Sequence, residues 1–238
     1  MNSGPSPTKL SPVHASSQEL GAQFAAVAGW QVPQVYTAIA DEVAAVKRSV
    51  ALADNSASGK IVVEGKGAAA VLQAAWSMPS LATGQGEMVD AGRVYRLRED
   101  QFFVHLDPGA EGAAAEALDE AAGKTRELVS VTDVTHGRAD LLLVGPHSAR
   151  LLSRLCGLDL ESSQFPDLGA QQSSVAKTRQ LVLRCDIKPQ DGSPVLAYSL
   201  IGDRSLAVYL WQTIREAGHD LDLALIGRAA LDELRTGE

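Results

Sequence analysis

In the stretch "TAIADEVAAVKRSV", apolar residues fall at Ile39, Val43, Val46 and Val50, a spacing that predicts a helix with one buried stripe. Asp41 and Glu42 near its start and Lys47 and Arg48 near its end carry the signs that a helix dipole favours. Farther along, the pattern repeats. "IVVEGKGAAAVLQ" (61–73) and "LLLVGPHSARLLS" (141–153) both read as a short apolar strand, a turn at Gly65 or Gly145, and a helix. Two strand-like runs and a second helix follow in each copy. In the first copy these are "GRVYRLRE", "QFFVHLD" and "AEGAAAEALDEAAG", which closes at Gly123. In the second they are "TRQLVLRC", "SPVLAYSLIG" and "DRSLAVYLWQTIREAG", with Asp203 as expected N-cap, Leu206, Leu210 and Ile214 on one face, and Gly218 after the end. Two β-α-β-β-α units, at 60–123 and 140–218, predict an α+β architecture with pseudo-symmetry and mixed, largely antiparallel sheets. A binding site between the two halves is expected. Residues 1–13 read as a flexible N-terminus, 14–238 as one domain, and "DLDLALIGRAALDELR" as one more short helix.

Charge narrows the partners. Asp and Glu number 29 against 21 Lys and Arg, a formal net charge of −8, and no basic cluster interrupts the chain. A nucleic-acid or anionic-membrane surface is therefore not expected, which leaves a protein or a small molecule. "MNSGPSPTKLSPVH" lacks the apolar run of a signal peptide and no later run reaches spanning length, so a soluble, cytoplasmic chain is expected. Cys156 and Cys185 lie far apart, as reduced and buried thiols would.

Familiar catalytic patterns fail on spacing. "ADNSASGK" (53–60) looks like a phosphate loop, but Asp54 stands where the first Gly belongs, Ile61 replaces the hydroxyl residue, and a strand follows. "GQGEMV" (84–89) has Val89 at the third Gly position of a dinucleotide fingerprint and reads as a polar turn. The histidines, His14, His105, His136, His147 and His219, form no metal-ligand spacing, and no G-x-S-x-G elbow marks a nucleophile.

Residues 26–65 run "AVAGWQVPQVYTAIADEVAAVKRSVALADNSASGKIVVEG". This segment resembles the N-terminal folate-binding region of the glycine cleavage T-protein (aminomethyltransferase) family, which reads "FAGWxMPxxY", a helix, then "GLFDVSHMGKIRVEG". Gly29, Trp30, Pro33, Tyr36, Glu42, Val46, Leu52, Asp54, Ser56, Gly59 and the "VEG" ending keep that spacing. "VYRLREDQFFVHLDP" is similar to the family's "VYRLGEDxFLLVVNA", and "TDVTHGRADLLLVGP" to its "DVSDELALLALQGP". The resemblance covers about residues 11–235. From residue 129 onward, "VTDVTHGRADLLLVGPHSARLL" and "CGLDLESSQFPDLGAQ" also resemble the gamma subunit of heterotetrameric sarcosine oxidase. The T-protein's C-terminal barrel and the "KGCYxGQE" signature of the folate-dependent iron-sulfur cluster proteins have no counterpart in the matched segments.

The resemblance implies tetrahydrofolate as cofactor and one-carbon (aminomethyl or methyl) transfer, with a partner supplying the barrel or an oxidase or demethylase function. It equally allows a non-catalytic subunit of a sarcosine oxidase-like complex with a degenerate pocket. Aligned to the family's "VxDDLIV", "MVDAGRVY" gives Asp90 the catalytic position, where a carboxylate stabilises a cationic one-carbon unit or moves a proton. Folate-binding positions fall on Ser58 (the family's Met), Val104 (pocket lining), Asp107 (Asn of "VVNA") and Arg228 (Arg of "GARDTLR", with a one-residue deletion). The family's pterin-binding Glu of "GYTGExGFE" falls on Ser199, with Gln190 or Asp191 as substitutes through a shifted loop.

Overall fold

Side-chain alternation along the apolar runs sorts the chain into sheets with one face under helices, as seen in the computed structural model, which describes residues 8–90, 92–189 and 192–236. β1 (Lys9–Leu10), α1 (His14–Glu19), β2 (Gln23–Val27) and β3 (Trp30–Val35) come first, and the three strands pair in the order β1-β3-β2. Residues 8–13, expected to be flexible, instead supply β1, which runs parallel to β3, and Val13, which is fully buried in the main core. α2 (Ile39–Arg48) follows, with Val43 and Val46 buried, whereas Ile39 is exposed and Val50 lies past the helix end. Glu42 does more than meet the helix dipole. Its buried carboxylate accepts the backbone N–H groups of Tyr36 (2.6 Å), Thr37 (2.9 Å) and Gly227 (2.7 Å), fastening the helix start to the C-terminal segment.

The chain continues through β4 (Ala51–Asp54), β5 (Gly59–Glu64), α3 (Ala68–Trp76), β6 (Gly86–Val89), β7 (Gly92–Arg98), β8 (Gln101–Leu106), α4 (Glu111–Ala122) and β9 (Ser130–Asp133). It then runs through β10 (Arg138–Val144), α5 (Ser148–Leu152), β11 (Ala170–Val175), β12 (Thr178–Arg184), β13 (Ala197–Asp203), α6 (Ala207–Ala217), β14 (Ala224–Leu225) and α7 (Arg228–Thr236). One sheet has the order β6-β7-β8-β5-β9 and is antiparallel throughout. The other has the order β11-β12-β13-β10-β4-β14 and is antiparallel except for the β14–β4 pair. The architecture is α+β with mixed, largely antiparallel sheets.

Three local expectations change. Gly86–Val89 is an edge strand paired with β7, not a polar turn, because the neighbouring strand supplies the ladder that its own residues do not announce. β11 escapes sequence reading for the same reason: "AQQSSV" buries only its first and last residues. Leu206 sits in a 3-10 turn and is exposed, so the buried face of α6 is Ala207, Leu210, Trp211 and Ile214. Asp203 does cap that turn, accepting the N–H of Ser205 at 2.9 Å.

Parity along the strands decides the layers. Ile61, Val63, Val94, Phe102 and Val104 pack with Val71, Leu72 and Leu118 of α3 and α4. Leu141, Leu143, Val182 and Leu200 pack with Leu151, Leu210, Trp211 and Ile214 of α5 and α6. The opposite faces of both sheets meet through Tyr95, Phe103, Leu181, Leu183 and Ile201. α2 and α7 cover Leu142 and Val144 with Val43, Val46, Leu231 and Leu234.

The sheets exchange strands. β4 belongs to the six-stranded sheet, and residues 55–58 carry the chain across to β5 in the five-stranded one; β9 and residues 134–137 make the return crossing to β10. Where the crossings pass, Asn55 N–H donates to the Asp140 carbonyl (2.9 Å) and Val134 N–H to the Lys60 carbonyl (2.8 Å). Lys60 N–H donates to Thr135 Oγ1 (2.9 Å), and Asp140 N–H to Ser56 Oγ (3.2 Å). Lys60 is fully buried, and its Nζ donates to the carbonyls of Ser56 (3.0 Å) and Ser58 (2.6 Å). Burial pushes its ammonium down to about 8, against the opposing pull of Asp140 and Asp54. Burial raises the Asp54 carboxyl, an effect reduced by hydrogen bonds from the Ser11 hydroxyl and from Ser56.

Two predictions follow from backbone and charge. Gly65 (φ +131°) and Gly145 (φ +119°) hold equivalent turns, and an added Cβ would lie 2.1 Å from the Leu128 carbonyl oxygen or 2.5 Å from that of Ser49. Either Gly→Ala change is expected to destabilise the chain by about 2 kcal/mol or more in urea unfolding, because strained φ and a backbone clash add. Lys60 keeps its proton to about 10.5 when unfolded and to about 8 when folded, so between those values the unfolded chain binds more protons and stability rises with pH. Relative to Lys60→Met, the wild-type unfolding free energy should climb by up to roughly 3 kcal/mol across that window, measured by urea melts at stepped pH.

Candidate functional site

The alternation that sends apolar side chains under the helices turns Lys60, His105, Asp140 and Ser199 toward the space between the sheets. A cavity of about 30 Å³ lies there, reached by Asn55 and Ser58 from the crossing turn, Arg93 from β7, and His105 and Asp107 from the end of β8. Ser199 of β13 and two residues of α7, Arg228 and Arg235, complete its polar lining.

The predicted site residues divide into two groups. Ser58, Asp107, Ser199 and Arg228 come from four separate segments and line this one cavity. Val104 does not reach it: the residue is fully buried, and its parity on β8 points it under α3 and α4 with Ile61 and Val63. Asp90 does not reach it either. It lies exposed in the turn after β6 and lines a separate depression of about 500 Å³ with Trp76, Met88, Ala110 and Ala114. The hairpin ends at that turn, so Gly92, not Asp90, is the described residue that carries β7 into the cavity lining. Gln190 and Asp191 lie outside the described residues.

Arg228 is not a freely exposed helix residue. Its Nε donates to Asp232 one turn along α7 (2.7 Å), and Arg235 donates to the same carboxylate at 3.2 Å. Burial, and then the charge of Arg228, lower the Arg235 guanidinium from its usual range. The Arg93 side chain is half-buried and has no hydrogen bond or ion pair among the described residues. A guanidinium so placed has its donors free for an anion.

The floor of the cavity carries a polar cluster. Asp140 Oδ2 accepts from Asn55 Nδ2 (2.7 Å), Ser58 Oγ (3.0 Å) and His105 Nε2 (2.9 Å), and His105 Nε2 also lies 3.1 Å from Ser58 Oγ. Burial alone would raise the Asp140 carboxyl, but the hydrogen bond from His105, the charge of Lys60 and the Asn55 amide hold it below the usual carboxylate range. His105 Nδ1 and Asp140 Oδ1 are buried with no hydrogen-bond partner among the described residues.

Sequence reading passed over His105, Asp140, Arg93 and Arg235, yet a signal was present. Set against the runs quoted above, Asn55, Ser58, His105 and Asp140 replace Val, Met, Val and Leu. Each change alone looks like drift. Together they are four apolar-to-polar replacements that hydrogen-bond to one another. Among the described residues, no group of His, Cys, Asp and Glu has the arrangement to hold a metal ion.

Comparison with known proteins places this geometry in a family. The family model "GCVT N-terminal domain" matches residues 13–238. Aminomethyltransferase of Halothermothrix orenii is 29% identical over 239 residues, covering 95% of this chain and 64% of that protein. The chain therefore spans less than two thirds of that relative's length. In structure, aminomethyltransferase T of the glycine cleavage system of Bartonella henselae superposes with a TM-score of 0.80 at 23% identity, over 95% of this chain and 62% of the other. A chain of heterotetrameric sarcosine oxidase from Corynebacterium sp. U-96 gives 0.66 at 20% identity, over 90% of this chain and 96% of that one. With the two exchanged sheets, the shared cavity and a family match over nearly all of its length, this chain belongs to the GCVT N-terminal domain family.

Proposed function

We propose that the central cavity is a ligand site of the tetrahydrofolate type and that the chain serves one-carbon (aminomethyl or methyl) transfer together with a partner. The observation that carries this reading is the convergence of Ser58, Asp107, Ser199 and Arg228 on one cavity. The donor set is of the right kind for a reduced folate. Asp107 offers a carboxylate to the adjacent N–H donors of a pterin, and Arg93, Arg228 and Arg235 offer cations to the carboxylates of a glutamyl tail. When bound, the folate would supply the acceptor nitrogens for the one-carbon unit. The cavity holds about 30 Å³, so a ring enters only if flexible arginine side chains swing aside. Their long stems make that movement inexpensive compared with moving a strand.

A second reading has its own observation in favour. Ser199 is fully buried where the family's acidic partner of the pterin would stand, and the cavity holds only about 30 Å³. Those features fit a non-catalytic subunit that shapes a larger, sarcosine oxidase-like assembly. A chain matching 64% of its relative's length fits either a partner subunit or a longer polypeptide.

Calorimetric titration with tetrahydrofolate separates the readings. Saturable binding is expected, with Asp107→Ala weakening it at least about tenfold through loss of charged hydrogen bonds. Asp90→Asn, outside the cavity, should leave affinity within about twofold. Absence of binding at millimolar ligand, alone and with copurifying protein, would leave the subunit reading.

A further inference from the structure

Asp140, Ser58 and Asn55 together dictate the protonation pattern of the ring that faces the cavity. Asp140 is ionised and can only accept, so the nitrogen 2.9 Å from its Oδ2, His105 Nε2, carries a proton. The Ser58 hydroxyl has one proton and directs it to the same oxygen at 3.0 Å; its 3.1 Å approach to Nε2 is then a contact rather than a donated bond. In the neutral ring Nδ1 is left with a free lone pair. A buried carboxylate that fixes one ring nitrogen and leaves the other bare is the arrangement by which proteins prepare an imidazole to take a proton and then hold the resulting cation. Here the bare nitrogen has no partner among the described residues, although its residue is 5% exposed and lines the cavity. Arg93, whose guanidinium is unpaired among the described residues, lines the same small space.

The geometry points to His105 as the proton-transfer group of the central cavity, with Asp140 and Ser58 as positioning residues, acting on a carboxylate-bearing ligand held by Arg93. The step is balanced within the site. A proton leaves an acidic O–H or N–H of the ligand for the Nδ1 lone pair, the bonding pair stays on the ligand oxygen or nitrogen, and the imidazolium so formed is countered by Asp140. Nε2 keeps its proton throughout. This inference rests on the cavity being the ligand site, but not on the ligand being a folate. The carboxylate could belong to a small acid or to a glutamyl tail, and the two are distinguished by the probes below.

The test is the imidazole nitrogen spectrum of the whole chain labelled with ¹⁵N-histidine, with the His105 signals assigned by their loss in His105→Gln. Wild type should show His105 as the Nε2–H tautomer. Acetate, against chloride at matched ionic strength, should shift its Nδ1 signal saturably, and Arg93→Gln should weaken that response about tenfold. Asp140→Asn should release the fixed tautomer; if that variant does not fold, Ser58→Ala and Arg93→Gln carry the comparison, with circular dichroism as the check on folding. Tetrahydrofolate is the second probe. A response to acetate without folate binding upholds the role of His105 and ends the folate reading. Folate binding by calorimetry with an unmoved His105 signal overturns the role of His105 and leaves the folate reading standing. An Nδ1–H tautomer, or no response to either probe, also overturns it.

Discussion

Everything in this fold passes through two strand crossings. β4 lies in the six-stranded sheet although the chain runs on from it into β5 of the five-stranded one, and β9 lies in the five-stranded sheet although the chain runs on into β10 of the other, so neither sheet is complete until residues 55–58 and 134–137 have crossed between them. Crossing turns cannot use ladder hydrogen bonds, yet at this point they are buried, and unpaired buried polar groups are costly. Lys60 resolves the conflict by donating to two carbonyls of the first crossing, while Thr135 and Ser56 meet the N–H groups of Lys60 and Asp140. The consequence is a charged, hydrogen-bonded knot at the centre of an otherwise apolar sandwich.

That knot explains why the cavity is where it is. The sheets pack tightly where Tyr95, Phe103, Leu183 and Ile201 meet. Around the first crossing, polar side chains replace that packing, and the walls come from strand ends and from α7 instead. Polar groups held against a low-dielectric surround interact strongly, which is why Asp140 stays ionised despite complete burial. Asp140 thus sets a negative charge behind the lining residues Asn55, Ser58 and His105, whereas the arginine walls are cationic and borne on flexible stems.

Much of the fold was legible in the sequence because local pattern and global structure agree. The turns at Gly65 and Gly145, the strands QFFVHLD and TRQLVLRC, and the burial of Val43 and Val46 on α2 and of Leu210 and Ile214 on α6 follow from period and punctuation. The edge strands β6 and β11 were not legible, since short polar edges draw their stability from a neighbour rather than from their own residues. Four site positions carried over by family resemblance, Ser58, Asp107, Ser199 and Arg228, reach the cavity. Val104 fails by parity alone: one residue along a strand exchanges the cavity for the helix-covered core.

By itself the sequence determined the duplicated α+β frame, the excess of acidic over basic residues and the family to which the frame belongs, all of which are written in local periodicity, charge and motif spacing. Only the tertiary structure decided the chemistry of the centre. Asn55, Ser58, His105 and Asp140 are dispersed along the chain, and no local rule joins them. The strand exchange brings them within hydrogen-bond distance, where burial makes each polar group depend on the others.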